Sequence, residues 1–165
     1  MANSITIRPI YNDWCPQIIA LILNIQKGEF GLAVTLNDQP DLLDIEKNYH
    51  QGGGNFWGAF FGEELIGTIG LINSGRGLAT IRKMFVKADY RGKERGVAQK
   101  LLDTLLQNCH DNQYDDAYLG TVPQLKAAQS FYKRNGFIAT SADELPKHFP
   151  RMATDRMFYR LHLNH

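Results

Sequence analysis

Cysteine is scarce in this sequence: 165 residues hold only Cys15 and Cys109, too few and too isolated for a disulfide framework. The five histidines are dispersed, and no Cys/His cluster has metal-site spacing. An excess of one charge sign is also missing. The 18 Lys and Arg nearly balance the 17 Asp and Glu, leaving a net charge of +1. That balance gives no whole-chain case for nucleic acid or an anionic membrane. No apolar run reaches membrane-spanning length. The first residues enter a strand pattern directly and lack a signal-peptide core. Internal repeats and low-complexity tracts are absent as well. These absences predict one soluble, cytoplasmic, metal-free domain over residues 1–165, with neither a nucleic-acid nor a membrane partner.

What is present is a change of hydrophobic period along the chain. Residues 5–9 alternate and meet a proline, as a short first strand does. Asp13 can cap a helix running to Gln26, with Gly28 as its stop, followed by a loop containing Glu29 and Phe30. A second helix is predicted from the 38–41 region to His50, with Leu42, Ile45 and Tyr49 at helical spacing. Past the glycines at 52–54 the period drops to that of strands, over 56–61, 65–72 and 78–86, joined by short turns. A helix from Arg95 to Asn112, a buried strand over 116–121, and a helix opened by Pro123 and closed by Gly136 come next. Strands from Phe137 and over 157–163 complete the chain. The order βααβββαβαββ predicts an α/β (α+β) domain with a mixed sheet and helices on both faces. The alternating last strand, 157–163, could pair across a homodimer.

One stretch carries chemistry. An apolar strand ends at Val86, a basic turn with two glycines follows over 90–96, and a helix with apolar positions Val97, Leu101, Leu102, Leu105 and Cys109 begins. Strand, turn and helix in this order aim free N–H groups at a phosphate. Arg91, Lys93 and Arg95 outnumber Glu94, as a pyrophosphate requires. Neither the Gly-x-x-x-x-Gly-Lys-Ser/Thr loop nor the Gly-x-Gly-x-x-Gly turn of nucleotide and dinucleotide sites is present here.

The run Arg91-Gly92-Lys93-Glu94-Arg95-Gly96 resembles the Gln/Arg-x-x-Gly-x-Gly/Ala signature of the GNAT N-acetyltransferase superfamily, with Glu94 at the middle glycine. The strand before it and the downstream Ala128-x-x-Phe131-Tyr132-x-x-x-Gly136-Phe137 extend the resemblance. The resemblance implies a central mixed sheet of about seven strands flanked by about four helices. It also implies acetyl-CoA as acetyl donor and a primary amine, on a small molecule or a peptide, as acceptor. Residues Arg91, Gly92, Lys93, Glu94, Arg95, Gly96, Val97 and Ala98 match the pyrophosphate-binding turn. Met84, Phe85 and Val86 match the strand edge that pairs with pantetheine and polarises the thioester. Tyr132 matches the tyrosine that protonates the leaving thiolate.

Two departures accompany the match. The family commonly has Asn where Leu125 stands, and many relatives carry a Glu about where Thr80 stands. With no carboxylate at Thr80, Glu29 is the substitute base that the sequence suggests, while Asp38, Asp41 and Glu46 read as capping or surface groups. The segment 145–150 is read either as a wall of the acceptor pocket or as a structural loop. An acyl-cysteine route finds little support: Cys15 has no His or cationic neighbour, and Cys109, although followed by His110, falls on the apolar face of a predicted helix, where thiols are usually inert. Together with Glu94 at the middle glycine, these departures leave an alternative open: a non-catalytic acyl-CoA-binding module of this fold.

Overall fold

The computed structural model describes residues 4–163. Seven strands form one sheet in the order β1-β2-β3-β4-β5-β7-β6. They are β1 (Ile5–Pro9), β2 (Asn55–Phe61), β3 (Glu64–Asn73), β4 (Leu78–Val86), β5 (Asp116–Thr121), β6 (Ile138–Thr140) and β7 (Met157–His162). β4 and β5 are the parallel pair, and the other neighbours run antiparallel. A helix bridges that parallel step, as a crossover requires. It is α2 (Val97–Asp111), which buries Val97, Leu101, Leu102, Leu105 and Cys109.

Alternation along β2 and β3 divides the core between the two faces of the sheet. Trp57, Ala59 and Ile66 pack with the α2 side chains. Phe56, Phe60 and Leu65 pack with Ile18, Leu21 and Ile22 of α1 (Cys15–Leu23), and with Leu42, Ile45 and Tyr49. Both faces are covered, so β2 and β3 bury almost every residue.

The strands fall where the sequence puts them, while four helical expectations need correction. The first helix passes Gly28 in a π-helical turn, Asn24–Glu29, and Gly31 takes the left-handed conformation beyond it (φ 61°). The helix predicted to reach His50 is broken into 3-10 turns, Leu36–Asp38 and Pro40–Leu43, and a π-turn, Glu46–His50. Gln39 and Asp44 lie outside helical φ/ψ (ψ 63° and 84°), and the Asp44 carboxylate accepts from Lys47 N–H at 3.0 Å instead. α2 starts at Val97, not Arg95, because Gly96 is left-handed (φ 63°). Pro123 precedes α3 (Lys126–Arg134) rather than opening it, since Leu125 is not helical (ψ 65°).

The homodimer expectation on the last strand meets a topological obstacle. β7 lies between β5 and β6; β5 pairs with it from Met157 to His162, and β6 takes its other edge from Phe158 to Arg160.

Candidate active site

The site begins where β4 and β5 part. They pair from Leu78–Asp116 to Ile81–Leu119, after which β4 runs on to Val86 without β5. A bulge marks the divergence. Lys83 has φ 57°, the β3 register shifts there, and Thr68 Oγ1 donates to Lys83 O at 2.7 Å. The edge of Met84, Phe85 and Val86 that faces away from β3 is therefore left without a strand partner.

A cavity of about 740 Å³ lies to one side of the gap, lined by Met84, Phe85, Val86, Arg91, Gly92, Lys93, Gly96 and Ala98, with Phe131 and Asn135 opposite. A second cavity, of about 590 Å³, is lined by Gln39, Thr80, Arg82, Lys83, Tyr132 and Asp155 among others. Met84, Phe85, Gln124, Leu125 and Ala128 line both, so the two meet at the free edge of β4.

The turn over 91–96 suits an anionic group. Gly92 (φ 113°) and Gly96 (φ 63°) take the conformations that side chains resist. No side chain caps α2, and its first internal bond runs from Lys100 N–H to Gly96 O at 3.0 Å. The N–H groups of Val97, Ala98 and Gln99 consequently have no carbonyl one turn back. Glu94 is exposed and is not among the described non-glycine residues with positive φ, so this backbone does not demand glycine there. The Arg95 guanidinium lies 5.2 Å from the Tyr90 ring centroid, and the Val97 side chain is in the core.

Arg91 and Glu29 come together, in a way the sequence did not indicate. Arg91 Nε donates to Val86 O at 2.8 Å, and its two terminal nitrogens donate to the two Glu29 oxygens, Nη2 to Oε1 at 2.7 Å. The hydrogen bonds from Arg91 hold the Glu29 carboxyl below the usual carboxylate range. Glu29 lines neither cavity. A proton acceptor with a depressed pKa, tied to the other cavity's arginine, is poorly placed as the base.

The second cavity has its own polar cluster. Lys83 Nζ, with its side chain 5% exposed, donates to Gln39 Oε1 at 2.7 Å and lies 3.8 Å from both Asp41 Oδ2 and Met152 Sδ. Burial pulls the Lys83 ammonium down to about 8, against the opposing pull of Asp41. Asp41 also accepts from Tyr49 Oη at 2.6 Å. It is thus a half-buried partner of the cluster rather than the capping or surface group expected, whereas Asp38 does cap Thr35 and Glu46 does accept from Asn12 N–H. Gln26 and Gln39 exchange amide hydrogen bonds at 2.6 and 3.3 Å.

Asp155 accepts from Met152 N–H at 3.1 Å, and burial raises its carboxyl above the ordinary range. It rests on Gly120 of β5, where a Cβ would come within 2.3 Å of the carboxylate. Only glycine at 120 leaves that space. Tyr132 is packed among Phe131, Phe137 and Tyr159, and burial raises its phenol well above 10. From 145–150, Phe149 reaches the cavity and Pro150 O accepts from Arg82. Sequence reasoning missed Lys83 and Asp155. The pair Arg82-Lys83 inside an otherwise apolar strand was a usable signal; Asp155, in a polar loop, offered none.

Comparison with known proteins agrees with this geometry. The family model described as "Acetyltransferase (GNAT) domain" matches residues 31–152. The chain belongs to the GNAT acetyltransferase family. A GNAT-family acetyltransferase from Staphylococcus aureus Mu50 superposes with a TM-score of 0.94 at 38% identity, covering 98% of this chain and 100% of that one. The rat protein N-acetyltransferase 8B is 33% identical over 118 residues, which are 68% of this chain and 50% of that protein. The chain thus spans about half the length of that mammalian relative. An N-acetyltransferase from Thermoplasma acidophilum, solved with coenzyme A, shares the fold at 21% identity (TM-score 0.75, covering 97% of this chain and 99% of that one). Acetyl-CoA-dependent acetyl transfer is general to the GNAT family. Among the described residues no helix is long and apolar enough to cross a membrane, and no three His, Cys, Asp or Glu gather as a metal site.

Proposed function

We propose that this GNAT chain transfers an acetyl group from acetyl-CoA to a primary amine by direct attack in a ternary complex. The observation that carries the reading is the meeting of two cavities at the free edge of β4, one rimmed by the basic turn and the other by Tyr132 and Asp155. Donor and acceptor can enter from opposite sides and touch only there.

Acetyl-CoA supplies an acetyl thioester, activated for attack, and a pyrophosphate by which it can be gripped. Lys93 and the N–H groups at the head of α2 bind the pyrophosphate, with Arg91 held in place by Glu29 and Val86 O, while Arg95, over the Tyr90 ring, lies outside the cavity lining. The edge of Met84, Phe85 and Val86 pairs with the amides of the donor's arm and presents an N–H where negative charge develops on oxygen. Asp155 takes the role first given to Glu29: it receives a proton from the incoming ammonium, and its raised pKa makes it the better acceptor near neutrality. Tyr132 stays protonated across the physiological range and gives its proton to the departing sulfur.

Coenzyme A release measured over a panel of primary amines tests this. Turnover is expected to drop by about two orders of magnitude in Tyr132→Phe and Asp155→Asn, with acetyl-CoA affinity retained. Tight acetyl-CoA binding with no amine turned over would favour the acyl-CoA-binding module instead.

A further inference from the structure

An amine enters as a cation, yet the cavity that would receive it is rich in basic groups. Its charged lining comprises Arg82, Lys83 and Arg156 against Asp38 and Asp155. Asp38 is committed to the Thr35 backbone and hydroxyl. Behind the lining, Asp41 balances one of the two inner cations. With Asp155 engaged by the acceptor amine, the cations Arg82, Lys83 and Arg156 face the carboxylates of Asp38 and Asp41, and one positive charge is left without a counterion.

Lys83 also has an underused donor. One N–H reaches Gln39 Oε1 at 2.7 Å, but towards Met152 the acceptor is a thioether sulfur at 3.8 Å, a weak partner for a buried ammonium. Met152 in turn gives its N–H to Asp155, so a single residue separates the cation from the carboxylate. The cavity lining therefore holds a positive and a negative group on either side of Met152.

We propose that the acceptor is an amine with a carboxylate close beside it, of the α-amino-acid type, its amine meeting Asp155 and its carboxylate meeting Lys83. The proposal rests on the acetyltransferase reading above and narrows it. Polyamines, aminoglycosides and protein N-termini all lack the vicinal carboxylate and fall outside it. The apolar residues Leu32, Val34 and Phe149 on the same cavity wall suit an acceptor with an apolar side chain.

The test uses phenylalanine, phenylalaninamide and phenethylamine, which differ only at the carboxyl position. Coenzyme A release should favour the acid over the amide by about tenfold or more in kcat/KM, as a charge-assisted contact provides. In Lys83→Gln that ratio should narrow at least fivefold, and Lys83→Arg should restore part of it. Calorimetry of the coenzyme A-loaded protein with N-acetylphenylalanine and N-acetylphenylalaninamide reads the same preference without turnover. Equal use of acid and amide, or equal binding of the two acetyl products, overturns the carboxylate and leaves the acetyltransferase standing. An acid preference that survives Lys83→Gln unchanged removes Lys83 from the proposal. Absence of acetyl-CoA binding altogether overturns the reading beneath.

Discussion

At the scale of single residues, charge is distributed by function. Arg91 and Glu29 form a forked pair with each side chain about a third exposed (35% and 34%), so it contributes little to stability, roughly 0–1 kcal/mol. Its value lies in aiming Arg91 between Val86 and the head of α2. Glu29→Gln should therefore raise the KM for acetyl-CoA severalfold while changing kcat far less; a collapse of kcat would return Glu29 to the role of base. Gly120 makes the opposite case, a residue needed for what it lacks. A Cβ there meets the Asp155 carboxylate at 2.3 Å, against the backbone of β5. Gly120→Ala should cost about 1–3 kcal/mol in overpacking. It should also lower kcat by displacing Asp155, both readable from a melting curve and initial rates. Asp155 itself sets a pH limb. Its raised pKa places the rise of kcat/KM above the ordinary carboxylate range, and Asp155→Asn should abolish that limb along with most of the activity.

Among the elements, β4 is the one on which the site is built. Its bulge at Lys83 puts a non-glycine residue at φ 57°, a conformation that costs on the order of 1 kcal/mol. Thr68 Oγ1 on one side and Gln39 on the other hold it there. α2 supplies the other half of the site, its N-terminus kept open by left-handed Gly96, while Leu101 and Leu105 anchor it at 0% exposure. Leu101→Ala should lose about 2–5 kcal/mol by denaturant unfolding. These two elements were legible in the sequence because period-2 burial, a basic glycine turn and a period-3.6 face are local signals. The pieces from the 38–41 region to His50 read as one helix in sequence because Leu42, Ile45 and Tyr49 keep helical spacing across a broken backbone. Nothing local reports that Asp41 turns inwards to Tyr49 and Lys83. The engagement of Glu29 is hidden for the same reason: Glu29 and Arg91 are 62 residues apart in sequence, and only the fold joins them.

Across the whole molecule, the sheet separates two cores and the β4–β5 gap opens between them, so the two cavities share one seam. The buried polar cluster on the acceptor side leaves a trace in global stability. Lys83 has its pKa lowered from 10.5 to about 8, so the folded protein resists protonating it. Below about pH 8 the group destabilises the fold; as pH rises from about 8 to 10.5, the unfolded chain holds the proton longer and stability rises. Wild type should gain up to about 3 kcal/mol on Lys83→Met across that window, by urea unfolding at each pH. The most direct test of the central claim, donor and acceptor meeting at the β4 edge, is the steady-state rate pattern with acetyl-CoA and an amine varied together. The account predicts intersecting lines for the wild type, with Tyr132→Phe slowed in kcat and still binding acetyl-CoA. Parallel lines, or an acetylated protein isolated when the amine is omitted, would contradict direct transfer across the seam.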